Sequence, residues 1–245
     1  MHLLIVSCTP RAKEKSNTDK ILDELKKGYE HNGNTTETLY LYKRNEWENI
    51  RKKFYENDNI LFALPLYVEC IPGIMAEFLE TLKPKQNCNT KIGFLLQSGF
   101  SEASQLRCCE SYLETLPSLL GCEYNGTLLK GGMFAVSFIG SKMRKQMIEP
   151  FYDMGKYYAQ NNYFNKEVVN DFAKPEYFSK KEIFLSNVVS PLNKLFMKVF
   201  AKKLGCKGSL NPESVKLIVF ICQSTIRLAK SRKCTLIMLN KPVLM

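Results

Sequence analysis

The sequence predicts a doubly wound α/β fold: a five-stranded parallel sheet of order 2-1-3-4-5, helices on both faces, and a basic, mainly helical C-terminal extension. Three observations carry this. Apolar runs alternate with amphipathic segments five times within the first 160 or so residues. Several of the runs are almost unbroken, as expected of strands buried on both faces. The whole formal charge of +11 falls in residues 180–245, whereas residues 1–179 are balanced.

The elements follow in order. Leu3 to Cys8 reads as a buried strand, and Ile21, Leu22, Leu25 and Tyr29 fall at helical spacing after a polar loop. Thr36 to Tyr42 alternates as a strand, and residues 46–56 form a helix. Ile60 to Leu66 is a second buried strand; Pro72 and Gly73 then open a helix with Met75, Phe78, Leu79 and Leu82 on one face. Ile92 to Leu96 is a strand, and residues 102–120 are helical with Leu106, Leu113, Leu116 and Leu120 inward. Thr127 to Leu129 is a short strand, and residues 141–160 are one helix. These units predict a first domain over residues 1–160 and a second region over 161–245. In the latter, Ile183, Phe184, Val188, Leu192, Leu195, Phe196, Val199 and Phe200 make residues 181–204 an amphipathic helix, interrupted at Pro191. Gly205 to Pro212 is turn-like, and the last stretch has no assignable pattern.

With 45% hydrophobic residues, the 245-residue chain can bury one substantial core. Nine cysteines, an odd number with no CxxC pair, read as thiols in a reducing compartment, so a cytoplasmic location is expected. Cys8, Cys70 and Cys122 flank strands and should pack as small hydrophobes; adjacent Cys108 and Cys109 on a helix should divide between surface and core. The opening MHLLIVSC lacks a basic segment before it and a cleavage site after it, so it reads as a strand rather than a signal peptide. The longest apolar run, Leu217 to Cys222, is far short of the roughly 20 residues that span a bilayer. The sequons at Asn34 and Asn125 are then chance matches. The two histidines, His2 and His31, have no acidic or cysteine neighbour at ligand spacing, so neither a metal site nor a histidine-activated nucleophile is expected.

In a doubly wound sheet, ligands bind beyond the carboxyl ends of the strands, where the strand order reverses. The loops after strands 1 and 3 are therefore the first candidates. The first reads Ser7-Cys8-Thr9-Pro10-Arg11-Ala12-Lys13-Glu14-Lys15-Ser16-Asn17-Thr18 and enters a helix. A helix N-terminus offers unpaired N–H groups and partial positive charge, which suit a phosphate. Ser16, Asn17 and Thr18 add side-chain donors, and Arg11, Lys13 and Lys15 add charge. Ser-Asn-Thr before a helix is equally a good N-cap. Neither GxxxxGK[ST] nor GxGxxG occurs, which excludes a nucleoside-triphosphate P-loop and a dinucleotide fingerprint here.

These residues resemble the NADPH-dependent FMN reductases. Ser7-x-x-Pro10-Arg11 followed by Ser16-Asn17-Thr18 is similar to their GSPR…SNT phosphate loop. Pro65-Leu66-Tyr67 through Pro72-Gly73 resembles their second loop, P-x-Y-x-x-x-x-G. The stretch Phe172-Ala173-Lys174-Pro175 and the segment with Asn193-Lys194-Leu195 are similar to an extension that some members carry, so the resemblance runs to about residue 205. It departs at Ser7, where glycine is usual, and at Val68-Glu69-Cys70, where an aromatic, a glycine or asparagine, and a small residue are common. The compact cysteine motif of the iron–sulfur members is missing, so no cluster is expected.

The resemblance implies a flavodoxin-like fold, bound FMN, and NAD(P)H as co-substrate. The flat, largely apolar ring needs stiff apolar walls and backbone donors at its polar edge. Pro65, Leu66, Tyr67, Val68 and Glu69 would supply one side, and Gln97, Ser98 and Gly99, after strand 4, the other. Read without the resemblance, Tyr67 is a rim aromatic and Gly99 an ordinary turn. Glu69 either borders the ring, where its charge would disfavour the reduced flavin, or faces solvent and caps the helix near Pro72. The expected activity passes electrons from NAD(P)H to a quinone, nitroaromatic or other small acceptor. The alternatives are a non-catalytic flavodoxin-type carrier and a binding module with a vestigial flavin site. The basic, apolar 180–245 region fits a dimer arm, an anionic membrane contact or capture of an acidic partner, and equally an extra helix packed on its own domain. The resemblance, to a family whose members are commonly oligomeric, favours a homodimer arm among the three roles, and no specific nucleic acid is expected.

Overall fold

The computed structural model describes residues 1–86, 89–181 and 184. Apart from residues 181 and 184, the expected amphipathic segment 181–204 lies outside the described residues, as do the turn at 205–212 and the end of the chain. The chain divides between Tyr177 and Phe178, and every element below belongs to the unit Met1–Tyr177.

Strands β1 (His2–Ser7), β2 (Thr35–Tyr40), β3 (Asn59–Pro65), β4 (Lys91–Gln97) and β5 (Glu123–Lys130) form one parallel sheet in the order β2-β1-β3-β4-β5. This is the flavodoxin-like topology expected from the alternation. The three inner strands are buried over nearly their whole length, because helices cover both faces, and they carry the unbroken apolar runs. Edge strand β2 buries only Leu39, which is why it alternates in sequence. The register aligns the carboxyl ends: Ser7 lies beside Tyr40 and Ala63, Pro65 beside Gln97, and Gln97 beside Lys130.

The helices are α1 (Asn17–Glu30), α2 (Trp47–Glu56), α3 (Gly73–Leu79), α4 (Arg107–Leu119), α5 (Ser141–Ile148), α6 (Pro150–Asn161) and α7 (Lys166–Ala173). Helix α1 buries Ile21, Leu22, Leu25 and Tyr29 as its spacing requires. It packs closely on α6: a Cβ at Gly28 would stand 1.9 Å from the Tyr152 carbonyl oxygen, and one at Gly155 2.0 Å from that of Leu25. Helices α2 and α3 meet edge to face through Trp47 and Phe78, with ring centres 5.4 Å apart. Among the described residues, no helix is long and apolar enough to cross a membrane.

Several boundaries differ from the sequence reading. The single helix expected over 141–160 is two, because Pro150 cannot donate to a preceding turn but suits the first position of a new helix. Strand β5 begins at Glu123 rather than Thr127; Gly126 takes φ +91° and the β4–β5 register shifts between Ile92 and Phe94. Helix α4 starts at Arg107, after a short 3-10 turn at Ala103–Gln105. Cys8, Cys109 and Cys122 are buried and Cys108 is exposed as expected, but Cys70 is exposed instead of packed.

Candidate functional site

The loops after β1, β3, β4 and β5 converge at the carboxyl edge of the sheet. In the first loop Ser7, Ser16, Thr18 and Asp19 are buried, whereas Pro10, Arg11 and Lys15 are exposed. Lys13 is held 3.3 Å from Asp23. Burial opposes its charge, but Asp23 and Tyr40 outweigh that and raise its pKa. Ser16 caps α1, its Oγ accepting from the Asp19 N–H at 3.1 Å. That leaves the N–H groups of Asn17 and Thr18, the first two of the helix, with no acceptor among the described residues.

The Ser16-Asn17-Thr18 side chains serve the fold as well as any ligand. Thr18 Oγ1 accepts from Gln97 Nε2 at 3.1 Å, tying the end of β4 to the start of α1. Asn17 Nδ2 donates to the carbonyls of Met133 at 3.0 Å and Phe134 at 3.2 Å, and its Oδ1 accepts from the Ser137 hydroxyl. Lys20 Nζ donates to the same hydroxyl at 2.7 Å. The 131–138 segment after β5 is thus latched onto the first helix, a role the sequence reading missed.

The loop after β3 is a tight turn. Tyr67 and Cys70 exchange backbone hydrogen bonds at 3.0 and 3.1 Å, and between them Val68 and Glu69 take φ +48° and +64°. Both signs fit a type I′ turn, a conformation that a β-branched residue such as Val68 rarely takes. Val68 is 97% exposed, and Glu69 and Cys70 are also exposed. The tip N–H groups of Val68 and Glu69 have no acceptor among the described residues. Helix α3 begins at Gly73 with Pro72 as its cap residue and no side-chain cap, so Glu69 does not cap it. Leu66 N–H donates to the Gln97 carbonyl at 2.7 Å, joining this loop to the next.

Ser98, Gly99 and Phe100 are zipped to the segment after β5. Ser98 N–H donates to the Lys130 carbonyl at 3.1 Å, Met133 N–H to that of Ser98 at 2.9 Å, and Gly132 N–H to that of Phe100 at 2.6 Å. A Cβ at Gly131 would stand 2.4 Å from the Phe100 carbonyl oxygen, so only glycine permits this approach. Phe134 lies against Gly99 and is 48% exposed. It pairs with Phe138 at 5.6 Å. The structure therefore brings together Ser16, Asn17, Thr18, Gln97, Ser98 and Gly99. Arg11, Tyr67, Val68 and Glu69 are exposed at the rim. A mixed-charge groove of about 570 Å³ between α1 and α5–α6 includes Glu24, Lys27 and Arg144; Arg144 also donates to the Val136 carbonyl at 2.8 Å, but no residue of the converging loops lines the groove.

The NADPH-dependent FMN reductase family model matches residues 1–137, more than half of the chain. The chain belongs to this family of flavodoxin-like, FMN-dependent oxidoreductases. No curated protein matches it in sequence. Among solved structures, the NAD(P)H:quinone oxidoreductase of Methanothermobacter marburgensis is 16% identical, with 64% of this chain and 96% of that one covered and a TM-score of 0.51. RosB with the bound intermediate 8-demethyl-8-formylriboflavin-5'-phosphate is 15% identical, with 78% of this chain and 87% of that one covered and a TM-score of 0.50. At such identities the likeness is one of fold.

Proposed function

We propose that the chain binds FMN at the carboxyl edge of its sheet and transfers electrons from NAD(P)H to a small acceptor, a quinone or nitroaromatic. The observation that carries this is the pairing of an open helix start after β1 with an exposed turn after β3, at the point where the strand order reverses. The residues fit the cofactor's chemistry. The unpaired N–H groups of Asn17 and Thr18, with Arg11 and Lys15 at the rim, suit a phosphate. Tyr67 offers a wall, and the tip N–H groups of Val68 and Glu69 suit the polar edge of a flavin. Gln97, Ser98 and Gly99 close the other side, with Ser7 and Pro10 shaping the phosphate loop and Pro65 and Leu66 placing the turn. FMN, when bound, supplies the chemistry, accepting a hydride from the nicotinamide and passing the electrons on. The protein's part is to hold the phosphate, fix the ring and leave one side open to both substrates in turn. A homodimer joined through residues 180–245 belongs to the same proposal, on their charge and apolar pattern.

The test is steady-state oxidation of NADH and NADPH by the FMN-loaded protein, with a quinone and with a nitroaromatic. The expected result is saturable turnover with at least one pair. A loaded protein that oxidises neither nucleotide with either acceptor would leave it an electron carrier and refute the enzymatic reading.

A further inference from the structure

Asp19 occupies the third position of α1, directly after Asn17 and Thr18, whose N–H groups lie open. Only 1% of it is exposed. Among the described residues neither of its oxygens makes a hydrogen bond of ordinary geometry, and nor does the fully buried Ser7 hydroxyl at the end of β1, although the Ser7 and Ser16 hydroxyls lie close enough to act on the carboxyl. Burial raises the Asp19 pKa; the nearby Ser7 and Ser16 hydroxyls pull it down without cancelling that effect. From α1 itself Asp23 adds a like charge, and from the loop Lys13 opposes it. The Cys8 thiol and the Tyr40 phenol also face it, both with pKa raised chiefly by burial.

We propose that Asp19 couples the phosphate loop to a proton, so that a phosphate monoester binds together with one proton taken from solvent onto the Asp19 carboxyl. This rests on the flavin reading of the site. A phosphate on the Asn17 and Thr18 N–H groups stands within about one helical turn of that carboxyl. Two anions so placed repel, and burial weakens the screening between them. A protonated carboxyl removes the repulsion. It also removes a buried charge that no ordinary hydrogen bond among the described residues compensates. Asp19 is thus a positioning residue that sets which ionisation state of the loop accepts the ester.

The experiment is titration of the apo full chain with FMN between pH 5 and 8.5, for wild type and Asp19→Asn, followed by flavin fluorescence. The ester's own second ionisation, near pH 6, is common to both proteins and cancels in the comparison. At pH 8.5 the variant should bind FMN about tenfold more tightly or better, a difference of about 1.4 kcal/mol that closes towards pH 5. Calorimetry in two buffers of different protonation enthalpy should count proton uptake on binding in the wild type beyond that of the variant, and none for riboflavin, which has no phosphate. If the variant does not fold, the wild-type counts for FMN and riboflavin at pH 8 are read together with the phosphorus-31 shift of bound FMN, which reports the ester's own ionisation; equal counts, or a bound ester that takes the proton itself, overturn the proposal. Parallel pH profiles for the two proteins would also overturn it while leaving the flavin reading intact. Failure of both folded proteins to bind FMN at any pH would overturn that reading, and the proposal with it.

Discussion

Replacing Asn17 with alanine separates two roles that the sequence runs together. The side chain makes two hydrogen bonds to the Met133 and Phe134 carbonyls, at 3.0 and 3.2 Å, and accepts one from Ser137. A net hydrogen bond contributes about 0.5–1.5 kcal/mol, and the bond to Phe134 is exposed, so the sum should come to about 2 kcal/mol. With a urea slope near 2 kcal/mol per molar, the unfolding midpoint should fall by about 1 M. The measurement is urea unfolding of the apo protein followed by circular dichroism, with FMN affinity determined in parallel. Lower stability together with weaker FMN binding is expected, because the released 131–138 segment also packs against Ser98 and Gly99. Unchanged stability with lost affinity would refute the latch and make Asn17 a direct phosphate ligand only.

Further outcomes follow from the same geometry. Cys70 and Cys108 are exposed, whereas burial pushes the Cys109 thiol up to about 12. Iodoacetamide mapped by mass spectrometry should therefore label the first two and spare Cys109, and FMN should protect Cys70 but not Cys108; equal protection would remove the Tyr67–Cys70 turn from the flavin site. Glu69→Gln should raise the flavin's two-electron midpoint potential by no more than about 20 mV, since water screens an exposed charge, and spectroelectrochemistry giving a lower potential would contradict its place beside the ring. Asp19→Asn should stabilise the apo protein at neutral pH. Between its unfolded value and its raised folded value, Asp19 holds its proton better in the folded state, so wild-type stability falls as pH rises through that window. The gain in melting temperature should vanish below the usual carboxylate range, and a gain that persists there would mean the effect is not one of charge.

The inner strands were legible because burial on both faces writes an unbroken apolar run, as in Leu3 to Val6 and Ile60 to Leu64. The start of β5 was not, because left-handed Gly126 and the bulge beside it break the period. The α5–α6 division was missed in reading 141–160 as one helix although Pro150 carried the signal, a proline inside a helical pattern being a boundary mark. At the candidate site, Ser16-Asn17-Thr18 singled out the first loop as a proposed phosphate site, but the partners of Asn17 lie 116 and more positions away and no local pattern predicts them. Gly131-Gly132 after a strand could have flagged the turn that carries Phe134. Asp19 carried no signal of its own: the burial that leaves its carboxyl without an ordinary hydrogen bond among the described residues arises only when α1 docks on the sheet.

The central claim is that this loop arrangement holds FMN, and flavin identity tests it most directly. The purified full chain, or the apo protein reconstituted in excess FMN and desalted, should carry about one flavin per chain, released on denaturation as FMN and not as FAD. Retention of FAD in preference to FMN, or a folded protein that keeps no flavin and quenches no FMN fluorescence at any concentration tried, would contradict it.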